Sequence, residues 1–242
     1  MTPAARRAKT VARPLPASPA RVKDGRGTER ITMAIAMDLP ELAGLRPDME
    51  CAVEIVPPRW IDDDELIELA ERYEPLRFER FADGTLLVTP LSGWQGGGRD
   101  AEIIAQVRNW VRSGRYGFCM GGTGTVKLPD GSAFMPDATY ISRERWEVTD
   151  KGRTFAETSP EAAFEVLSKS DRPRSTMKKV LAYLQNGVRL VVLIDPKRRK
   201  VYVRREGDAE PREIGDVDSV DCSPVMPGFV LDVAAIRDAG LP

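Results

Sequence analysis

The sequence predicts an α/β fold, and three observations carry that expectation. From residue 100 onward the apolar pattern reads helix, three strands, helix, two strands. Asp83-Gly84 sits inside an alternating stretch, a strong short-range hairpin signal, and Asp130-Gly131 reads as a second turn between strands. Glu161 to Ser168 and VRLVVLID are near-continuous apolar runs of the kind that form buried strands.

The elements follow in order. Residues 1–32 are rich in Ala, Arg and Pro without apolar periodicity, a composition that predicts a disordered basic tail. Residues 1–30 hold eight Lys or Arg against two acids, so a solvated tail and an arm touching nucleic-acid phosphates are both open readings. Residues 33–57 form an N-terminal extension with no decisive signal. WIDDDELIELAERYEP opens with acids suited to a helix N-terminus and closes at Pro75, which predicts a helix over about residues 62–73. RFERFADGTLLVTP then reads as a hairpin, giving a helix-hairpin ahead of the main core. GWQGGGRD reads as a loop, followed by a helix on which Ile103, Ile104, Val107 and Val111 share a face.

TGTVKLPDGSAFMPDATYI reads as two strands, and SRERWEVTDKGRTFAETSP as an exposed polar loop. Beyond the Glu161–Ser168 strand, Pro173 suits a helix first turn with Asp171 nearby. Met177, Val180, Leu181 and Leu184 form its apolar face, and Asn186-Gly187 stops it. VRLVVLID ends at Pro196, and KVYVRRE is its expected hairpin partner.

Composition removes several function classes. The chain has 242 residues, a net charge of −1 and a sequence pI of about 5.8, so no global basic field marks it for nucleic acid. It contains no histidine, which excludes Ser-His-Asp and Cys-His catalysis and HExxH metalloproteases. Cys51, Cys119 and Cys222 lack CxxC spacing, which argues against a zinc knuckle or a disulfide framework. No apolar run reaches membrane-spanning length, so a cytoplasmic protein without membrane contact is expected.

The remaining chemistry points to carboxylates and lysine. Glu165 stands among Phe164, Val166 and Leu167, where an ionised carboxylate is costly without a partner. Asp137 lies at the mouth of the strand ATYI. If the two strands are neighbours, both carboxylates can face one side, and such a pair repels unless a cation lies between. Mg²⁺ suits the place, because it takes oxygen ligands and needs only one or two carboxylates plus water and substrate phosphate. Lys179 follows on the next helix, with Tyr183 one turn later on the same side. Taken singly, each has a plainer reading: a turn Asp, an edge-strand Glu, a solvated helix Lys. It is their order along the chain that suggests a metal-phosphate constellation. Arg172, Arg174 and the KRRK run at 197–200 could meet phosphates, or be a charged helix start and turn. Trp94, Trp110 and Trp146 read as packing residues.

RFERFADGTLLVTP, LPDGSAFMPDATYISRERW, FEVLSKSD, KKVLAYLQNGVRLVVLIDP and VMPGFVLDVAAI together resemble the bacterial restriction endonuclease domain family of the PD-(D/E)XK phosphodiesterase superfamily. The resemblance spans residues 58–236, leaving 237–242 as the C-terminal end. It implies a restriction-endonuclease-like core, a central mixed sheet flanked by helices. Asp137 and Glu165 would hold Mg²⁺, with Mn²⁺ as a substitute. Leu167 occupies the position where the E-x-K form has lysine, so the lysine would come from the next helix as Lys179, with Lys178 the alternative. An acid from the first core helix would be Glu102. The implied activity is metal-dependent endonucleolytic hydrolysis of DNA by a homodimer. The competing reading is a non-catalytic nucleic-acid-binding or regulatory module that keeps the fold.

Overall fold

The computed structural model describes residues 21–23, 29–31, 45, 51–114, 116–171 and 173–239. Residues 1–40 and 41–242 form separate units. In the first, β1 (Arg21–Lys23) pairs antiparallel with β2 (Glu29–Ile31). This short ribbon falls inside the stretch whose composition predicts a disordered tail; the sequence between its strands, DGRGT, carries an Asp-Gly pair. The rest of the tail lies outside the described residues.

The second unit opens with β3 (Val53–Ile55), α1 (Asp63–Arg72) and the hairpin β4 (Arg77–Arg80) and β5 (Leu86–Thr89). A capping box starts α1: Asp62 Oδ1 accepts from Glu65 N at 2.9 Å, and Glu65 Oε2 accepts from Asp62 N at 3.0 Å. Such a cap stabilises a helix by about 1 kcal/mol. Leu66 and Leu69 bury its inner face. Gly84 adopts φ +83° in the turn of the hairpin, a conformation that glycine takes without steric cost.

Helix α2 (Trp94–Gly114) begins earlier than its sequence suggests. GWQGGGRD, expected as a loop, supplies its first turns. The glycines make close packing possible there: a Cβ on Gly98 would lie 2.4 Å from the carbonyl oxygen of Ala239. Tertiary contact thus overrides the poor helix propensity of glycine.

Next come β6 (Gly117–Gly121), β7 (Val126–Lys127), β8 (Ala133–Phe134) and β9 (Ala138–Ser142). The stretch expected as two strands contains three, and β8 and β9 belong to different sheets. Met135, Pro136 and Asp137 carry the chain from one sheet to the other. The segment expected as a polar loop contains α3 (Arg143–Val148) and β10 (Ala156–Glu157). Ser142 caps α3 by accepting from Arg145 N, and Trp146 stacks on Phe118 with centroids 4.0 Å apart. The cap, the aromatic contact and the Arg145–Glu161 ion pair at 3.0 Å hold a stretch whose polarity reads as loop.

The chain ends with β11 (Ala162–Val166), α4 (Pro173–Gln185), β12 (Leu190–Asp195), β13 (Lys200–Arg205), β14 (Arg212–Gly215), β15 (Ser219–Asp221), β16 (Val230–Asp232) and α5 (Val233–Asp238). Two six-stranded sheets result, in the orders β10-β7-β8-β4-β5-β3 and β14-β13-β12-β11-β9-β6. The second is mixed: β11 and β12 run parallel and its other pairs antiparallel. The helix-hairpin expected ahead of the core is α1 with β4–β5, and its strands lie within the first sheet.

Alternation along β11 and β12 sorts side chains to two faces. Phe164, Val166, Val192 and Ile194 pack with Ile103, Val107 and Val111 of α2. Ala163, Val191 and Leu193 pack on the opposite face with Val180 and Tyr183 of α4, with Leu87 and Phe134 of the first sheet and with Phe81 just past β4. No helix of the described residues is long and apolar enough to cross a membrane.

Candidate active site

By the same alternation Glu165 shares the face of Ala163, beneath α4 and the first sheet. Strands β9 and β11 are antiparallel neighbours with Ala138 opposite Phe164, so the next pair outward is Asp137 opposite Glu165. Val166 N donates to Asp137 Oδ2 at 2.7 Å, which fixes the Asp137 carboxylate at the sheet end. Both acids are buried, with 8% and 7% of their surface exposed.

Helix α4 brings two groups onto Glu165 from positions one turn apart. Lys179 Nζ lies 2.8 Å from Glu165 Oε1, and the Tyr183 hydroxyl donates to the same oxygen at 2.8 Å. A third acid completes the cluster. Glu79 Oε1, from β4, lies 2.7 Å from Lys179 Nζ and accepts from Met135 N at 2.6 Å. Glu79 thereby ties the strand crossing that presents Asp137 to the lysine. It is absent from the candidates that sequence order suggests. The signal that could find it is a carboxylate between Phe78 and the buried Arg80-Phe81 in a short strand, the same oddity that singles out Glu165.

The cluster is electrostatically strained. Burial, followed by the charges of Glu165 and Asp100, pushes the Asp137 carboxyl well above the usual carboxylate range. Burial pushes Glu165 up to about 7, with Lys179 opposing and Glu79 adding to the shift. Burial works against the Lys179 charge, but Glu165 and Glu79 outweigh it and hold the ammonium above its ordinary value. Burial and the adjacent carboxylates raise the Tyr183 phenol well above its ordinary value, so it serves Glu165 as a donor.

The other sequence candidates lie elsewhere. Lys178 points outward, 2.9 Å from Asp83 and over the Phe81 ring. Glu102 accepts from Gln106, whose amide also holds the Asp232 backbone, and so it faces the C-terminal hairpin. Asp100 is the α2 acid whose charge reaches Asp137. Arg174 is exposed at the start of α4, and Arg172 lies outside the described residues. In the KRRK turn Arg198, Arg199 and Lys200 pair with Asp195, Asp216 and Glu213. Trp110 and Trp146 pack as expected, against Tyr116 and Phe118 respectively. Trp94 does not: it is 69% exposed at the first position of α2.

The cluster opens into a cleft of about 50 Å³, with Arg77, Ser168, Asp171 and Thr176 on its walls. That is room for several waters or a hydrated ion. Among the described residues no three His, Cys, Asp or Glu converge as a ready-made metal cage. The donor set instead fits an ion that takes two carboxylates and completes its shell with water and phosphate, as Mg²⁺ does. The upward push that burial and the Glu165 charge give Asp137 is what a cation between the two carboxylates would relieve.

A mixed sheet covered by helices, with acids facing each other on adjacent strands and a lysine on the next helix, defines a restriction-endonuclease-like α/β protein. A crystal structure of a putative nuclease belonging to DUF820 from Anabaena variabilis ATCC 29413 has the same fold, with a TM-score of 0.61 and 18% identity over 73% of this chain and 98% of that one. Residues 63–234 match the Uma2 family model, described as putative restriction endonuclease, and the chain belongs to that family. No curated protein matches the chain.

Proposed function

We propose that the protein is a Mg²⁺-dependent DNA endonuclease, with Asp137 and Glu165 as the metal-holding pair and Lys179 as the cationic partner of the reacting phosphate. The observation that carries the reading is Asp137 opposite Glu165 at the mouth of one cleft, with the Lys179 ammonium 2.8 Å from Glu165. A bound Mg²⁺ would supply a water of lowered pKa and neutralise phosphate charge. The chain's own groups do the rest. Asp137, held by the Val166 N–H, and Glu165, held by Tyr183, present their remaining oxygens at the cleft in fixed orientation. Lys179 is kept charged and pinned by Glu79, placing a positive group where negative charge grows on the phosphate in the transition state. Mn²⁺ should substitute for Mg²⁺. A cytoplasmic location and a homodimer belong to the same reading, and sedimentation of the purified chain checks the dimer.

Incubation of supercoiled plasmid with purified protein in Mg²⁺, Mn²⁺ or EDTA tests the proposal, beside Glu165→Gln and Lys179→Met. Nicking that needs the metal and is lost in both variants supports it. Nicking that survives in both variants refutes these assignments. A wild type that binds DNA but never cuts it would be a nucleic-acid-binding module that keeps the nuclease fold.

A further inference from the structure

Two larger hollows adjoin the catalytic cleft, with volumes of about 370 and 300 Å³, and all three meet at Ser168. The larger is bounded by Arg99, Lys169, Lys197 and Arg198. The other runs along the first turn of α2, past Arg99, Lys169 and Trp94. Two acids also line the larger hollow, and both are engaged. Asp195 pairs with Arg198 at 2.8 Å, and Asp171 accepts from Ser168 N at 2.6 Å. Lys169 and Lys197 are exposed and spend their charge on no ion pair among the described residues. Arg99 Nε is buried without a hydrogen-bond partner. A local basic channel therefore leads away from the carboxylates in a chain whose net charge is −1. At its rim stands the indole of Trp94, 69% exposed, on a helix start made of glycines.

Unpaired cations spaced along a channel suit a string of phosphates. An exposed indole beside them suits the face of an unstacked base, which a paired duplex does not offer. We propose that this groove holds the substrate strand beyond the scissile phosphate, with Arg99, Lys169 and Lys197 on its phosphates and Trp94 stacked on a base. The nucleic acid is therefore single-stranded, or locally opened, where it crosses the groove. This rests on the nuclease reading and adds the form of its substrate.

The test is binding, separate from cleavage. A fluorescein-labelled dT12 oligonucleotide is titrated without metal, and its anisotropy is compared with that of a duplex of equal length. Wild type should prefer the single strand, and Trp94→Ala should weaken it by about tenfold. Lys169→Ala/Lys197→Ala should lower the slope of log K against log[salt] by about 1.4, since each phosphate neutralised on a single strand contributes about 0.7. All three side chains are on the surface or its rim, so these variants should fold. Equal affinity for the duplex, or variants that bind like wild type, overturns the groove even where plasmid nicking succeeds. Loss of binding in the variants beside a wild type that cuts nothing keeps the groove and refutes the nuclease.

Discussion

Lys179 Nζ lies between two carboxylates, 2.7 Å from Glu79 Oε1 and 2.8 Å from Glu165 Oε1. Glu79 is the member of this triad furthest from the others in sequence, and its second bond, to Met135 N, anchors the strand crossing next to Asp137. Under the proposed mechanism it would be a positioning residue acting through Lys179. Glu79→Gln keeps an oxygen for Met135 N and removes the charge that holds the ammonium. Phosphodiesterase activity should fall by about 10–100-fold, through kcat more than KM, with the fold intact by circular dichroism. Wild-type kcat in this variant would show that Glu79 serves the fold alone.

The two neighbouring lysines should separate cleanly. Lys179→Met removes the cation that both Glu79 and Glu165 share, and activity should drop by about 10²–10³-fold. Lys178 pairs with Asp83 on an exposed turn, an interaction of small energetic value. Lys178→Ala should stay within about twofold of wild type. Equal losses in both variants, measured by plasmid nicking rate, would contradict the arrangement.

Much of this arrangement is legible in the sequence because it is local or follows a fixed period. Lys179 and Tyr183 are four apart on one helix, and Glu165 is a carboxylate inside an apolar strand. Glu79 is hidden because its approach to Lys179 depends on how one sheet lies over the other, across 100 residues of chain. The α2 acid is misplaced for a simpler reason. Asp100 and Glu102 are two residues apart, so they point about 200° apart on a helix. Reading GWQGGGRD as a loop conceals where that helix begins and which of its faces meets the cleft. Trp94, expected to pack, stands instead 69% exposed at the first position of that helix.

Arg80, fully buried beside Glu79, sets the position of β4. Its guanidinium donates to Ile61 O at 2.7 Å and Gly131 O at 2.8 Å, pairs with Asp63 at 2.7 Å, and lies under the Trp60 ring. Arg80→Met fills much of the volume but leaves the Ile61 and Gly131 carbonyls and Asp63 Oδ1 without their donor, while Lys127 still holds Asp63 Oδ2. Stability should fall by about 3–5 kcal/mol, read as a shift in the urea midpoint. A loss below about 1 kcal/mol would mean that water replaces the guanidinium at these groups.

The raised pKa of Glu165 makes both stability and metal binding depend on pH. Its native value, pushed by burial to about 7, lies above the 4.5 of an ordinary glutamate, and Asp137 is raised in the same direction. Without metal, the native state therefore keeps protons that the unfolded chain releases. The stability they confer is full below about pH 4.5 and is lost as pH rises through about 7. A divalent cation requires the ionised carboxylates and so competes with those protons. Mg²⁺ should raise Tm little at pH 6 and markedly at pH 8. Activity at low Mg²⁺ should climb with pH to a plateau above about 7, and the midpoint should move to lower pH as Mg²⁺ is increased. Glu165→Gln should remove most of the Mg²⁺-induced Tm gain at pH 8 together with the activity. A Mg²⁺-induced Tm shift of the same size at pH 6 and pH 8 would rule out competition between proton and metal at this pair.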